Sequence, residues 1–207
     1  MLRNKAFLNN TDKYDDWFDR NTGAYKSEVK AFSMLNIGGK AVEIGAGTGK
    51  FAEPLGIKLG VEPTGRMYEK ALALGIDIVE GVAEALPLRS SYFDWAVMVT
   101  TICFVNDPSK SMSEAFRILK SGGGCAIGLV DKDTVLGRKY LEKKDSSDFY
   151  REAVFYSSED VISCLTRAGF TRIGAYQTLT GKDINAVEEP LEGYGRGGFA
   201  VIYGFKP

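Results

Sequence analysis

The chain contains no histidine. That removes the commonest general base and the commonest zinc ligand together, so proton transfer falls to Asp, Glu, Tyr, Lys, Cys or water, and no metal is expected. Cysteine is scarce too. Cys103, Cys125 and Cys164 lie far apart with no C-x-x-C spacing and read as reduced core residues. Neither sign of charge dominates: 26 basic residues face 27 acidic ones, and the net charge of −1 with a pI of about 5.7 favours neither nucleic acid nor an anionic membrane. No apolar run is long enough to span a bilayer, and Met1-Leu2-Arg3-Asn4-Lys5 shows no signal-peptide pattern. A cytoplasmic protein is therefore expected. With 44% hydrophobic and 26% charged residues over 207 positions, the chain has the balance of a globular protein and the length for a single α/β domain.

Apolar runs alternate with helical patterns in the order of an open, mostly parallel sheet. Strands are expected near 40–45, 57–62, 76–80, 93–100 and 124–131. The stretch from Ser109 to Lys120 carries Met112, Ala115, Phe116 and Leu119 at helical spacing and stops at Gly122-Gly123-Gly124, the mark of a crossover helix. Asn106-Asp107-Pro108 reads as the turn that starts it. Ser157 opens a second helix that Gly169 closes. Two β-like runs, 170–179 and 198–205, follow with no helical period between them and predict an antiparallel hairpin. In such sheets ligands lie beyond the carboxyl ends of the parallel strands, near 45–49, 62, 81–86, 100–106 and 131–134. The connections 131–156 and 180–197 are long, and the excess length suggests lids at that edge.

The densest pattern is Val42-Glu43-Ile44-Gly45-Ala46-Gly47-Thr48-Gly49-Lys50, three alternate glycines directly after a short apolar run. It reads as a strand turning into a helix around a ligand, the glycines letting the main chain approach closely. A dinucleotide fingerprint is missing, since Lys50 stands where its third glycine belongs; a P-loop is missing too, since no Gly-Lys-Ser/Thr ending follows. Glu62, at the end of the next apolar run and followed by Pro63, would hold the two hydroxyls of a ribose. Glu43 suits a cationic sulfonium or amino group better than a pyrophosphate. A nucleoside-type cofactor follows.

These residues resemble the first motif and the ribose-binding acid of the class I S-adenosylmethionine-dependent methyltransferases, in particular their small-molecule, UbiE-like branch. Gly81-Val82-Ala83-Glu84-Ala85-Leu86-Pro87-Leu88 is similar to the adenine-side motif, Phe93-Asp94-Trp95-Ala96-Val97 resembles the fourth strand, and Arg117 to Gly123 resembles the turn before the fifth. The resemblance implies a Rossmann-like, seven-stranded, mostly parallel sheet with a C-terminal antiparallel hairpin, helices on both faces and an N-terminal helical cap. It implies one domain, divided into a cap (1–36), a cofactor-binding half (37–131) and a substrate-side half (132–207). It also implies S-adenosyl-L-methionine as cofactor and S-adenosyl-L-homocysteine as product. Gly45, Ala46, Gly47 and Gly49 would then pack against the methionine part, with Glu43 near its amino group. Glu62 and Pro63 would border the ribose, Ala83 and Glu84 the adenine, and Thr100 and Thr101 the methyl group. Tyr14, Trp17 and Tyr25 would face the sulfonium from the cap, unless they only pack it down. Three departures stand out. Residues 50–56 leave room only for a stubby helix interrupted by Pro54, Val82 replaces a frequent aspartate, and the stretch from Ile102 to Asp107 lacks the histidines many relatives carry there.

Methyl transfer from a sulfonium needs alignment and water exclusion more than a dedicated acid or base. The candidates for binding or deprotonating the acceptor are Asp131, Glu188 with Glu189, and Tyr194; two acids at a mouth suit an amine. After the fourth strand there is no Asn/Asp-Pro-Pro-Tyr/Phe sequence, and no Pro-Cys pair or basic tail occurs, which turns the expectation to a small-molecule acceptor, an amine or a hydroxyl, with no nucleic acid or membrane partner. Nothing in the pattern separates a monomer from a homodimer. A non-catalytic S-adenosylmethionine-binding protein and a nicotinamide-dependent reductase are the readings that compete.

Overall fold

A computed structural model describes residues 10–181 and 183–207. Two short helices open it, α1 (Thr11–Arg20) and α2 (Thr22–Ser33), broken at Asn21. Then follow β1 (Ala41–Ile44), β2 (Leu59–Val61), α3 (Gly65–Ala73), β3 (Asp77–Val79), β4 (Phe93–Val99), α4 (Pro108–Ile118) and β5 (Leu119–Val130). The chain ends with α5 (Val135–Glu142), α6 (Ser158–Ala168), β6 (Thr171–Thr178), β7 (Leu191–Glu192) and β8 (Phe199–Phe205).

The strands form one sheet in the order β3-β2-β1-β4-β5-β8-β6-β7. Neighbours from β3 to β5 run parallel, and β8 enters antiparallel between β5 and β6. The sheet therefore has eight strands where seven were expected, because Leu191 and Glu192 of the late loop pair with Gln177 and Tyr176 at the edge. Alternation along the strands divides the core in two. Val42, Ile44, Ala96, Met98 and Ile127 meet α4 and α6 on one face, whereas Val97, Val99, Ala126 and Val201 meet Phe18, Phe32 and Ala71 of the helices on the other. Among the described residues no helix is long and apolar enough to cross a membrane.

Local chemistry explains most boundaries. Asp107 caps α4 by accepting from the Lys110 amide at 3.0 Å, with Pro108 at the first helical position where its missing N–H costs nothing. A capping box of Ser157 and Asp160 starts α6, and Gly169 at φ +98° ends it. Residues 50–56 form isolated turns in place of the expected stubby helix. Glu53 donates to Gly49 and Leu55 to Phe51, but Pro54 between them has no N–H to continue the ladder. The long connection after β5 is not a plain loop, since α5, capped by Thr134, lies within it.

Candidate active site

The order of strands reverses at β1 and β4, so the crevice opens beyond their carboxyl ends. A cavity of about 500 Å³ lies there. The register sets Ile44 beside Val61, which brings the turn after β1 against the end of β2. The Gly45 amide donates to the Val61 carbonyl at 2.7 Å, and Glu62 reaches back to accept from the Gly47 amide at 2.9 Å and from the Thr64 amide at 3.0 Å. Gly47 has φ +55° and lines the cavity, where a side chain would be strained and would project toward Met67 and Tyr14. A Cβ at Gly45, φ +74°, would collide with the Thr101 side chain.

Thr100 has φ +49°, an outlying conformation for a β-branched residue, and it lines the cavity together with Thr101. Residues 81–84 form a further part of the wall. Glu84 is tied to the segment after β4, accepting from the Asn106 amide at 2.6 Å.

Helix α1 closes the cavity from above, with Tyr14, Trp17 and Phe18 in its wall. It is pinned to the glycine turn by Thr48, which donates to Asp15 at 2.7 Å, and to α3 by Lys70, which bridges Asp12 at 2.7 Å and Asp15 at 2.8 Å. Tyr140, Phe149 and Tyr150 complete the wall. Helix α1 meets this segment where Lys13 pairs with Asp148 at 3.2 Å and the rings of Tyr14 and Phe149 lie 6.4 Å apart.

The interior is poorly solvated, and its acids show it. Burial raises the Glu62 carboxyl even though the Gly47 and Thr64 groups favour its charged form. Glu28 of α2 lines the cavity and is pushed by burial up to about 8. Tyr14 and Tyr150 are raised by the same cause, and Tyr140 is pushed up to about 12. Such a space strengthens the attraction between a carboxylate and a cationic ligand. The turn's open approach at Gly47 and the two-oxygen acid beside it fit a nucleoside-type cofactor.

Of the candidates expected from the sequence, the wall contains Tyr14, Trp17, Gly45, Gly47, Glu62, Pro63, Ala83, Glu84, Thr100 and Thr101. The others point elsewhere. Glu43 does not reach the wall: it is buried in β1, its Oε2 has no hydrogen-bond partner among the described residues, and burial raises it well above the ordinary carboxylate value. Tyr25 turns away, donating to the Lys50 carbonyl and packing on Phe18 and Phe51. Ala46 packs toward Gly60 of β2 and Gly49 toward Ile76 and Ala71, both behind the turn.

The acceptor-side candidates fare differently as well. Asp131 is a buried structural acid that accepts from the Ser158 hydroxyl at 2.6 Å and amide at 3.2 Å, joining β5 to α6. Glu188 staples its own loop by accepting from the Thr180 and Gly181 amides, and its main chain donates to Ser27 of α2. Glu189 pairs with Lys30, and Tyr194 stands exposed. The late loop thus docks on α2 instead of covering the cavity. Glu28, Met67, Tyr140, Phe149 and Tyr150 join the wall without having been expected there. For Glu28 a clue existed: it interrupts the apolar stripe of Ala24, Ala31 and Phe32.

Comparison with known proteins matches this geometry. A family model described as a methyltransferase domain matches residues 42–127. An uncharacterized protein of Methanocaldococcus jannaschii is 42% identical over 193 residues, covering 92% of this chain and 94% of the other. The ubiquinone/menaquinone biosynthesis C-methyltransferase UbiE of Stenotrophomonas maltophilia is 25% identical and covers 76% of each. A crystal structure of an S-adenosylmethionine-dependent methyltransferase from Thermotoga maritima, described as a possible histamine N-methyltransferase, has a TM-score of 0.95 at 45% identity, covering 98% of this chain and 99% of that one. These matches set aside the nicotinamide-dependent reductase and the non-catalytic reading. The chain belongs to the class I S-adenosylmethionine-dependent methyltransferases, and S-adenosylmethionine is its cofactor.

Proposed function

We propose that the protein methylates a small-molecule acceptor by direct in-line transfer, with an amine as the leading acceptor and a hydroxyl as the second. The observation that supports this is the cavity itself, walled by the glycine turn, Glu62 and the aromatic rings of α1 and the 140–150 segment. An acceptor small enough to enter would react away from water. The description of the Thermotoga relative as a possible histamine N-methyltransferase favours the amine.

When bound, S-adenosylmethionine supplies a methyl group on cationic sulfur. In our reading Glu62 takes the ribose hydroxyls with the lone pairs left after Gly47 and Thr64, the turn at 45–47 carries the methionine end, and Ala83 and Glu84 border the adenine. Thr100 and Thr101 stand at the end of β4 where the methyl and the acceptor meet. Tyr14 and Phe149 hold α1 and the 140–150 segment together and exclude water, which strengthens every electrostatic contact inside.

Calorimetry with S-adenosylmethionine and S-adenosylhomocysteine tests the placement. Glu62→Ala is expected to weaken both by about 1–3 kcal/mol through lost charge-assisted bonds; unchanged affinity would remove Glu62 from the site. A labelled-methyl screen over amines, phenols, thiols and carboxylates tests the acceptor. Label found in amines supports the reading, and label confined to a carbon or sulfur acceptor overturns it.

A further inference from the structure

Glu28 lies on the core-facing stripe of α2, where its neighbours Ala24, Ala31 and Phe32 are fully buried and apolar. Only 4% of its own surface is exposed, and it lines the cavity. No described residue gives its carboxylate a hydrogen bond or an ion pair; burial alone sets its pKa. The other acids of the wall are occupied, Glu62 by the Gly47 and Thr64 amides and Glu84 by the Asn106 and Asp107 amides. The cations of the wall are occupied too: Lys13 holds Asp148 at 3.2 Å and Arg20 holds Asp16 at 3.4 Å.

The titratable groups facing Glu28 are phenols: Tyr14 of α1, Tyr25 on its own helix, Tyr140 of α5 and Tyr150 beyond it. Tyr140 and Tyr150 pack with ring centroids 5.2 Å apart, and Phe149 continues the wall toward Tyr14. A desolvated carboxylate without a partner is costly, and aromatic faces attract cations. An ammonium ion meets both conditions and, unlike a sulfonium, carries a proton that a carboxylate can take.

We propose that Glu28, within the aromatic wall of Tyr14, Tyr140, Phe149 and Tyr150, binds the methyl acceptor as an ammonium and takes its proton before transfer. The proposal rests on the methyltransferase reading of this cavity given above. The ammonium passes one proton to a Glu28 oxygen and becomes a neutral amine. Its lone pair then forms the new N–C bond while the bond from methyl to sulfur breaks and that electron pair returns to sulfur. The product leaves as a methylated ammonium, and S-adenosylhomocysteine is neutral at sulfur. Glu28 afterwards releases its proton to solvent. Repulsion between the ammonium and the sulfonium in one poorly solvated space drives the first step, and a carboxyl titrating near neutrality is matched to accept the proton.

The test uses the full chain saturated with S-adenosylhomocysteine and titrated by calorimetry with phenethylamine and with phenethyl alcohol, which share shape and differ in charge. The amine is expected to bind at least tenfold more tightly than the alcohol to the wild type. In Glu28→Gln that ratio falls below threefold while S-adenosylhomocysteine binds within twofold of the wild type, which also shows that the variant is folded. A second measurement needs no variant. At pH 7 amine binding should release close to one proton as Glu28 ionises, read from heats in buffers of different ionisation enthalpy, and alcohol binding should release none. No amine preference, a preference that survives in Glu28→Gln, or equal proton release by both probes overturns the proposal. A tenfold loss of S-adenosylhomocysteine affinity in Glu28→Gln also overturns it, by assigning the carboxylate to the amino group of the cofactor. Failure of S-adenosylhomocysteine to bind either protein overturns the cofactor placement beneath the proposal, and the proposal with it.

Discussion

Glu28 and Glu43 are carboxyls that folding takes out of water, and both respond by holding their protons. An acid whose pKa is raised in the folded state gives its full stability below the unfolded value of 4.5. Between there and about 8 the unfolded chain ionises Glu28 while the folded chain does not, so stability falls as pH rises. Glu28→Gln removes that loss. Its unfolding free energy, measured by denaturant titration without ligand, should match the wild type near pH 4.5 and exceed it by pH 8 by on the order of a few kcal/mol, at about 1.4 kcal/mol per pKa unit. A constant difference across that range would place Glu28 in contact with water. Asp94 and Asp160, held low by Lys120 and Lys132, act only at more acidic pH and leave this window clear. At this scale the place of Glu62 was legible in the sequence, because it directly follows the apolar run of β2 and so stands at the carboxyl end of the sheet. Asp131 occupies a similar strand-end position and misled, since nothing local reveals that Ser158 of a later helix reaches it.

At the scale of elements, the loop after β3 owes its shape to α4. Arg117 donates to the Leu86 carbonyl at 2.9 Å and the Leu88 carbonyl at 2.8 Å, and Glu114 holds the guanidinium while accepting from the Leu86 amide at 2.8 Å. Arg117→Ala leaves carbonyls and a carboxylate to be resatisfied by water at a partly exposed site. A loss of about 1–2 kcal/mol in unfolding free energy is expected. Because the same loop carries Ala83 and Glu84, S-adenosylhomocysteine affinity should fall several-fold by calorimetry. An effect on stability alone would separate this loop from the cofactor. The helix itself was readable from its apolar spacing and its Pro108 start; its polar reach over residues 86–88 was not, because that depends on where the crossover lays the helix. The turn at 50–56 follows the same logic in reverse, a local rule about Pro54 overriding the family's usual helix.

Across the whole molecule, β5, β8 and α2 meet at Gly128. A Cβ there would lie 2.6 Å from the Phe199 ring and 2.7 Å from the Phe32 ring, both fully buried. Gly128→Ala overpacks this junction and should cost about 1–3 kcal/mol, seen as a lower denaturation midpoint with an unchanged slope. Helix α2 joins three regions. Its apolar stripe packs on the sheet, Glu28 faces the cavity, and Ser27 with Lys30 receives the late loop through Glu188 and Glu189.

The sequence by itself determined the absence of histidine chemistry, the glycine turn, the acid after it and the parallel order of the first five strands. Those follow from residue chemistry, backbone stereochemistry and the periods of two and 3.6 residues, all local. Only the tertiary structure decided which loops reach the cavity. It docked the late loop on α2 and brought Glu28 and the rings of Tyr140, Phe149 and Tyr150 to the cavity wall, because such placement depends on how helices distant in the sequence pack against one sheet.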